Sequence, residues 1–519
     1  MLVLRRSLLA CCLTLTIIIR VSTLAAQARA TEPAAVLRRA MEAQGGATLL
    51  RGIERVTMAG VGHRYLREQS ERPEGPWFIT YETFSESRDH ARSTREHRGL
   101  SRGYGTPNWW SDTSWAIGPA QILIDSLAFS QTPRGLAAGS ADAAQESALL
   151  LALSPERLLV TAEHSPELRL NPDTVVHGVK QRVLAFAWRR FPVRVWINAV
   201  TFLPTAARIT RTRPASFFWY PWGDVTTTYW FSGWTLEPGG FRYPRLLTVE
   251  SNDGPDYTWH VDRLVINGDP AALPTVTDSL KSAARSARAS VDQWPIASAV
   301  RSAQTLAPGV VSLPSNWNVA EIEQDDGILI LEAPMSNGYS EAVMADASAR
   351  FPGKAIKALV TTSDAWPHIG GVREYAARGI PIYALDLNEP ILHQVLSHPH
   401  TLTPDSLARA PRRPAFRFVS APLGIGSGES AIRLIPYRTA TAERQMMVYF
   451  PAHRLLYTSD LFSRRASGDF FTPEYIAEAL EAVRREGLAV DTVFGMHLAP
   501  TAWSDVVDAV NHHLPSGQR

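Results

Sequence analysis

Between about Leu50 and Asn267, apolar and polar positions mostly alternate or gather in short apolar runs. The runs are VTMAGVGHRY, WFITYETF, VRVWINAV, TTTYWFSGW and YTWHVDRLVING, with Gly, Pro and Asp between them. A period of two sends successive side chains to opposite faces of a strand, so this region predicts a large sheet. Two stretches break the rhythm: Ala34 to Leu50 and roughly Ala141 to Leu159 space their apolar residues as helices do. Together they read as an α+β, mostly β unit, a curved sheet with helical cover. From Leu306 the runs VAEIEQ, GILILEA, AIKALVTT, PIYALD, AIRLIPY, MMVYFPAHRLLYTSD and DTVFGMH alternate with helical segments at Ser340 to Arg350, Gly371 to Arg378 and Thr472 to Glu486. Strands alternating with helices make an α/β unit. MMVYFP and RLLYTSD face each other across Ala452 and His453 as hairpin strands would, so the sheets are not purely parallel. A mixed-sheet αββα sandwich satisfies both facts.

Around Pro270 to Trp294 the apolar density falls and Ala, Ser and Arg take over, the mark of a linker or a solvated helix. The expected division is a signal segment over 1–30, a mostly β domain over 31–270, a linker over 271–305 and a second domain over 306–519. A length of 519 residues agrees, being more than one ordinary core supports. With 45% hydrophobic and 20% charged residues, neither a disordered chain nor a multi-span membrane protein fits.

Arg5 and Arg6, the apolar stretch LLACCLTLTIII, and Ala26-Gln27-Ala28 or Ala28-Arg29-Ala30 form the three regions of a secretory signal. The expectation is export to the periplasm or the medium. Arg20 interrupts the apolar run short of spanning length, so membrane contact is expected only through this segment. Cys11 and Cys12 are the only cysteines and both lie inside it. The chain beyond it has no disulfide, thiolate ligand or cysteine nucleophile. Without residues 1–30 the chain keeps 48 basic residues against 50 acidic ones, a formal charge of −2. Nothing in that balance attracts nucleic acid.

Four landmarks of the second half follow one another in a familiar order: DDGILILEAP, TTSDAWPHIGGVREYAARGIPIYA, PAHRLLYTSDLF and VFGMHLAP. They resemble the metallo-beta-lactamase superfamily: a strand ending near an acid, the His-x-His-x-Asp-His loop with its glycine pair and helix, a strand ending in Gly-Asp, and the final Gly-His loop. The likeness covers about Leu306 to His513 and implies an αββα sandwich with a metal site. His368, Asp460 and His497 carry over as ligands. Ser363, Ala365 and Pro367 stand where the loop has its other two histidines and its aspartate, and PYRTATAERQ holds no middle histidine. The resemblance therefore implies a reduced, at most mononuclear site.

Two histidines and one carboxylate suit zinc with a bound water, or Fe(II) as a facial triad. Asp364, close to the lost ligands, is a candidate replacement acid. Asp460 would hold the metal and orient the water, while Arg373, Tyr437 and Arg438 are candidates for binding substrate and stabilising negative charge. One metal forgoes the clamp on attacking and leaving oxygens, so ester or amide hydrolysis fits better than phosphodiester work. The rival reading has no metal: the three residues serve structure alone, and the protein is a non-catalytic binding protein for a small or lipid-like ligand.

Three further stretches bear on that choice. The rings of FFWYPWGDVTTTYWFSGW are expected to fill the space between the sheet and its covering helix, or else to line a ligand cleft. VWINAVTFLPTAARI resembles periplasmic lipoprotein-carrier-type β domains, which implies a sheet around an apolar cavity. HQVLSHPH reads as a surface segment near the site mouth. LGIGSGES lacks the Gly-Lys-Ser/Thr ending of a phosphate loop, and GIGSG misses the spacing of a serine-hydrolase elbow.

Overall fold

The computed structural model describes residues 32–67, 74–103, 115–439, 444–464, 468–470 and 473–513. The expected signal segment lies outside these. Among them three sheets form. The largest, of fourteen strands between Arg55 and Ile266, is antiparallel throughout. Its first long strand, Arg55–Tyr65, lies beside its last, Gly254–Ile266, with a bulge at Ala59/Gly60. No described helix is long and apolar enough to cross a membrane.

One part of the inner face is filled. Val56, Met58, Phe84, Val193, Ile209, Tyr229, Val249 and Trp259 pack against the helix over 32–44 and against Ala141–Ala152 and Leu158–Glu163. The protein's own helices thus cover this part of the face on which the carrier-type resemblance implies an apolar cavity. The alternating pattern marks the buried face but is silent on what covers it.

The rest of that face carries charge. Arg88 gives Nε to Glu86 at 2.6 Å and its Nη1 to both Glu156 oxygens at 3.2 Å. Arg95 and His97 close on Glu86 at 2.5 and 3.0 Å, and His90 on Glu156 at 3.1 Å. Burial alone would raise the Glu156 carboxyl, but Arg88 and His90 outweigh it and hold it at about 2. The stability this supplies is complete above about pH 4.5 and drains away as pH falls toward 2. Urea midpoints measured from pH 7 to pH 3 should therefore fall with acid, and fall less steeply in Glu156→Gln.

The second half is built in four layers. Strands between Gln304 and Val419 form a seven-stranded mixed sheet, antiparallel up to Gly327–Leu331 and parallel beyond it. Strands between Leu423 and Ala502 form a six-stranded sheet whose one parallel pair is Leu455–Tyr457 with Thr492–Gly495. Leu329, Leu331 and Val360 of the first meet Leu434, Val448 and Phe494 of the second. Asn337–Arg350, Val372–Arg378 and Glu389–Ser397 cover the first sheet, and Pro473–Arg485 and Trp503–His513 the second.

The aromatic segment meets its expectation in one half, where Tyr229 and Phe231 pack beneath the helical cover, and corrects it in the other. Phe217, Trp219 and Trp222 leave the large sheet and pack into the core beneath the seven-stranded one. The segment 213–223 connects the strands Pro204–Thr212 and Asp224–Leu236, and at a connection the rings are free to turn to a neighbour. HQVLSHPH forms the other side of this seam. His398 Nδ1 donates to the Trp222 carbonyl at 2.6 Å, and Asp224 N donates to the Pro399 carbonyl at 2.9 Å. His400 is buried and His398 half-buried in this seam, while His393, Gln394 and Ser397 of the same segment are exposed.

Candidate metal centre

Three loops at strand ends build the centre. His368 sits in a single tight turn, Trp366–Ile369, beyond the strand Ile356–Val360 of the seven-stranded sheet. Asp460 follows Leu455–Tyr457, and His497 caps the hairpin between Thr492–Gly495 and Leu498–Ala502, both in the six-stranded sheet. The parallel pairing of 455–457 with 492–495 puts Asp460 and His497 side by side. Met496 N then donates to the Ser459 carbonyl at 2.8 Å and locks the two loops together. Asn318 Nδ2 donates to the Gly495 carbonyl at 2.9 Å and steadies the hairpin.

His497 Nε2 stands 2.9 Å from Asp460 Oδ1, and His368 Nε2 stands 3.7 Å from Asp460 Oδ2. One ligand atom from each residue lies within 4.8 Å of the others. Ligands about 2.1 Å from a tetrahedral ion stand about 3.4 Å apart, so the spacing fits a single cation. His497 Nδ1 donates to the Asn316 carbonyl at 2.7 Å, the outer contact that fixes a ligating imidazole's tautomer and leaves Nε2 for the site. Among the described residues His368 Nδ1 is buried without a hydrogen-bond partner, so apart from its facing Asp460 the ring is held by packing.

The electrostatics suit a cation. Burial pushes Asp460 up, but the two imidazoles outweigh it and hold the carboxyl at about 2. Burial lowers His368 to about 4 despite the pull of Asp460, so at neutral pH its ring offers a lone pair. For His497 burial works downward, but Asp460 and the Asn316 contact prevail and raise it. Asp460 thus favours the protonated form of His497, and a metal ion bound between them would displace that proton. His497 also lines a cleft of about 460 Å³ with Ser315, Asn316 and Ser463, which gives the centre access to solvent.

The other sequence candidates are placed elsewhere. Asp364 stands outside the three-residue group. Its Oδ2 is buried without a partner, and burial, countered by Arg444, lifts the carboxyl to about 7. Arg373 is buried, and its guanidinium grips Asp405 at 2.5 and 3.0 Å and the carbonyls of Val395 and Leu396. Tyr437 is fully buried in the core beneath Pro473–Arg485, and Arg438 pairs with Asp386 at 2.8 Å. Ser363 Oγ accepts from Ala365 N at 3.3 Å, and the Pro367 carbonyl accepts from Met335 N at 2.7 Å, so two of the lost-ligand positions now shape the loop.

Sequence reasoning missed Glu332, Thr362, Ser459 and Asn316. Burial lifts Glu332 to about 8, although Thr362 and Tyr457 donate to it. Thr362 Oγ1 also donates to Glu332 and stands 2.7 Å from Ser459 Oγ. Ser459 precedes Asp460 and holds φ 55°, a left-handed backbone that this chain of hydroxyls secures. The acid at the end of GILILEA was the one available signal. Nothing local marks Asn316.

The glycine pair has a packing reason. A Cβ on Gly371 would collide with Ser340 Oγ and the Ser336 carbonyl. Gly371→Ala is expected to cost about 1–3 kcal/mol, read from the urea midpoint, and to loosen the His368 turn.

No family model matches the chain, and no curated protein matches it. Solved structures similar to it over 40% of its length include an inverting sec-alkylsulfatase from Pseudomonas sp., at 14% identity over 40% of that chain with a TM-score of 0.31. A metallo-beta-lactamase from Pontibacter korlensis is similar at 13% identity over 96% of that chain, TM-score 0.32. The flavodiiron protein of Giardia intestinalis is similar at 12% over 58%, TM-score 0.32.

Proposed function

We propose that this chain is an exported, metal-dependent hydrolase of metallo-beta-lactamase type, with a one-metal centre made by His368, Asp460 and His497. The observation that carries this reading is the meeting of those three side chains from two sheets, their ligand atoms within 4.8 Å of one another. Export rests on residues 1–30, and the division into domains over 31–270 and 306–519 on the change of rhythm along the chain. Zinc or iron(II), when bound, supplies an activated water and polarises the oxygen of a scissile carbonyl.

The chain's own residues do the rest. His368 and His497 present neutral nitrogens. Asp460 supplies the negative charge and orients the attacking water, and Asn316 keeps His497 turned inward. Trp317, edge-on to both imidazoles, closes one side against bulk water. With a single ion, an ester or amide is the better substrate class than a phosphodiester.

The test is elemental analysis of the chain after loading with zinc or iron(II), with ester and amide hydrolysis followed before and after chelation. One ion per chain and a chelator-sensitive rate are expected. A chain that takes up neither ion sinks the reading.

A further inference from the structure

Two aromatic contacts connect the candidate centre to the large sheet. Trp317 stands 6.4 Å from the His368 ring and 6.3 Å from that of His497, and its indole meets Phe217 at 4.8 Å. Phe217 is braced in turn by Trp294 at 5.2 Å. The second contact is made by Trp366, two residues before His368 in the same turn. Its ring lies edge-on to Trp219 at 5.1 Å and to Trp222 at 5.0 Å, and the Arg67 guanidinium sits over it at 5.1 Å. Phe217, Trp219, Trp222 and Arg67 all belong to the large sheet or its connections.

These contacts matter because His368 Nδ1 has no hydrogen bond to orient its ring. A ligand that lacks an outer hydrogen bond is oriented only by the walls around it. The walls here are Trp317 and the Trp366 turn, and both lean on the segment 213–223. We propose that Phe217 and Trp219 are positioning residues of the metal centre, Phe217 acting through Trp317 on the placement of both histidines and Trp219 acting through Trp366 on the turn that carries His368. The proposal rests on reading His368, Asp460 and His497 as one centre. It makes the large sheet a working part of that centre rather than a separate binding unit.

The test uses the full chain with Phe217→Ala, Trp219→Ala and Phe217→Tyr. The control is Trp196→Ala, which removes a buried ring stacked on Trp230 at 5.8 Å, away from the seam. Zinc affinity is read by competition with a chelating indicator, and the imidazole resonances of His368 and His497 are read by NMR in metal-free protein. Phe217→Ala and Trp219→Ala should weaken zinc about tenfold and move those resonances. Phe217→Tyr should recover the affinity, and Trp196→Ala should leave both readings native. A folded Phe217→Ala protein with native affinity and unmoved resonances overturns the proposal. If the native chain binds neither zinc nor iron(II), the metal reading falls and the resonances alone decide the positioning: shifted ones uphold it, and unshifted ones overturn it.

Discussion

Asp460→Ala should leave the protein folded but unable to retain zinc, with affinity lowered by more than about a hundredfold. Removing an outer-shell partner costs about 10–100-fold, and losing a ligand costs more. Asp460 is also the only one of the three with a fixed negative charge, and it is the group both histidines face. Without it, burial is the main influence left on His497, whose raised proton affinity owes most to Asp460. His368 is already held neutral by burial. Two neutral imidazoles then remain, one of them with no outer hydrogen bond. The fold should survive, since His497 can discharge rather than stay buried as a cation. Metal content by mass spectrometry and the urea midpoint separate the two effects. Retention of a full equivalent of zinc would show that the ion sits elsewhere.

The largest stability effect is expected far from that centre, at Arg88. Its side chain is 3% exposed and bridges Glu86 and Glu156, each fully buried. Removing one member of a buried ion pair strands the other charge, which typically costs about 3–5 kcal/mol. In Arg88→Met, Glu86 keeps Arg95 and His97, whereas Glu156 keeps only His90. Glu156 should therefore carry most of the penalty. The double variant Arg88→Met/Glu156→Gln should recover much of the loss, because the stranded charge is gone. A double-mutant cycle on urea midpoints measures the coupling. A loss under about 1 kcal/mol in Arg88→Met would show that water reaches this network.

Local pattern made much of the architecture legible. The period-two runs between about Leu50 and Asn267 became strands of one sheet, and the helical stretches near 340–350, 371–378 and 472–486 became Asn337–Arg350, Val372–Arg378 and Pro473–Arg485. The hairpin across Ala452 and His453 is present as Gln445–Phe450 against Leu455–Tyr457. Of the candidate residues, the structure gathers the three that stand at strand ends. It scatters those picked for side-chain type alone: Arg373 is spent on Asp405, Tyr437 fills a core, and Arg438 serves Asp386.

Periodicity reports that a side chain is buried, never against what. It is therefore silent on the rings from Phe217 to Trp222, which leave the large sheet, and on His398 and His400, which turn into the seam. The partners that decide the matter are distant in the chain, as Trp222 is from His398 and Asn316 from His497.

One candidate ligand hangs from the seven-stranded sheet and two from the six-stranded sheet, so an ion bound there would rivet the two faces of the sandwich. Sliding or parting of those faces must release it, and its release removes a cross-brace that the apolar contacts between the sheets then replace alone. Metal loss and loosening of the sandwich are in that case two descriptions of a single event. Zinc should slow hydrogen exchange on both sheets together, including strands that never approach a ligand.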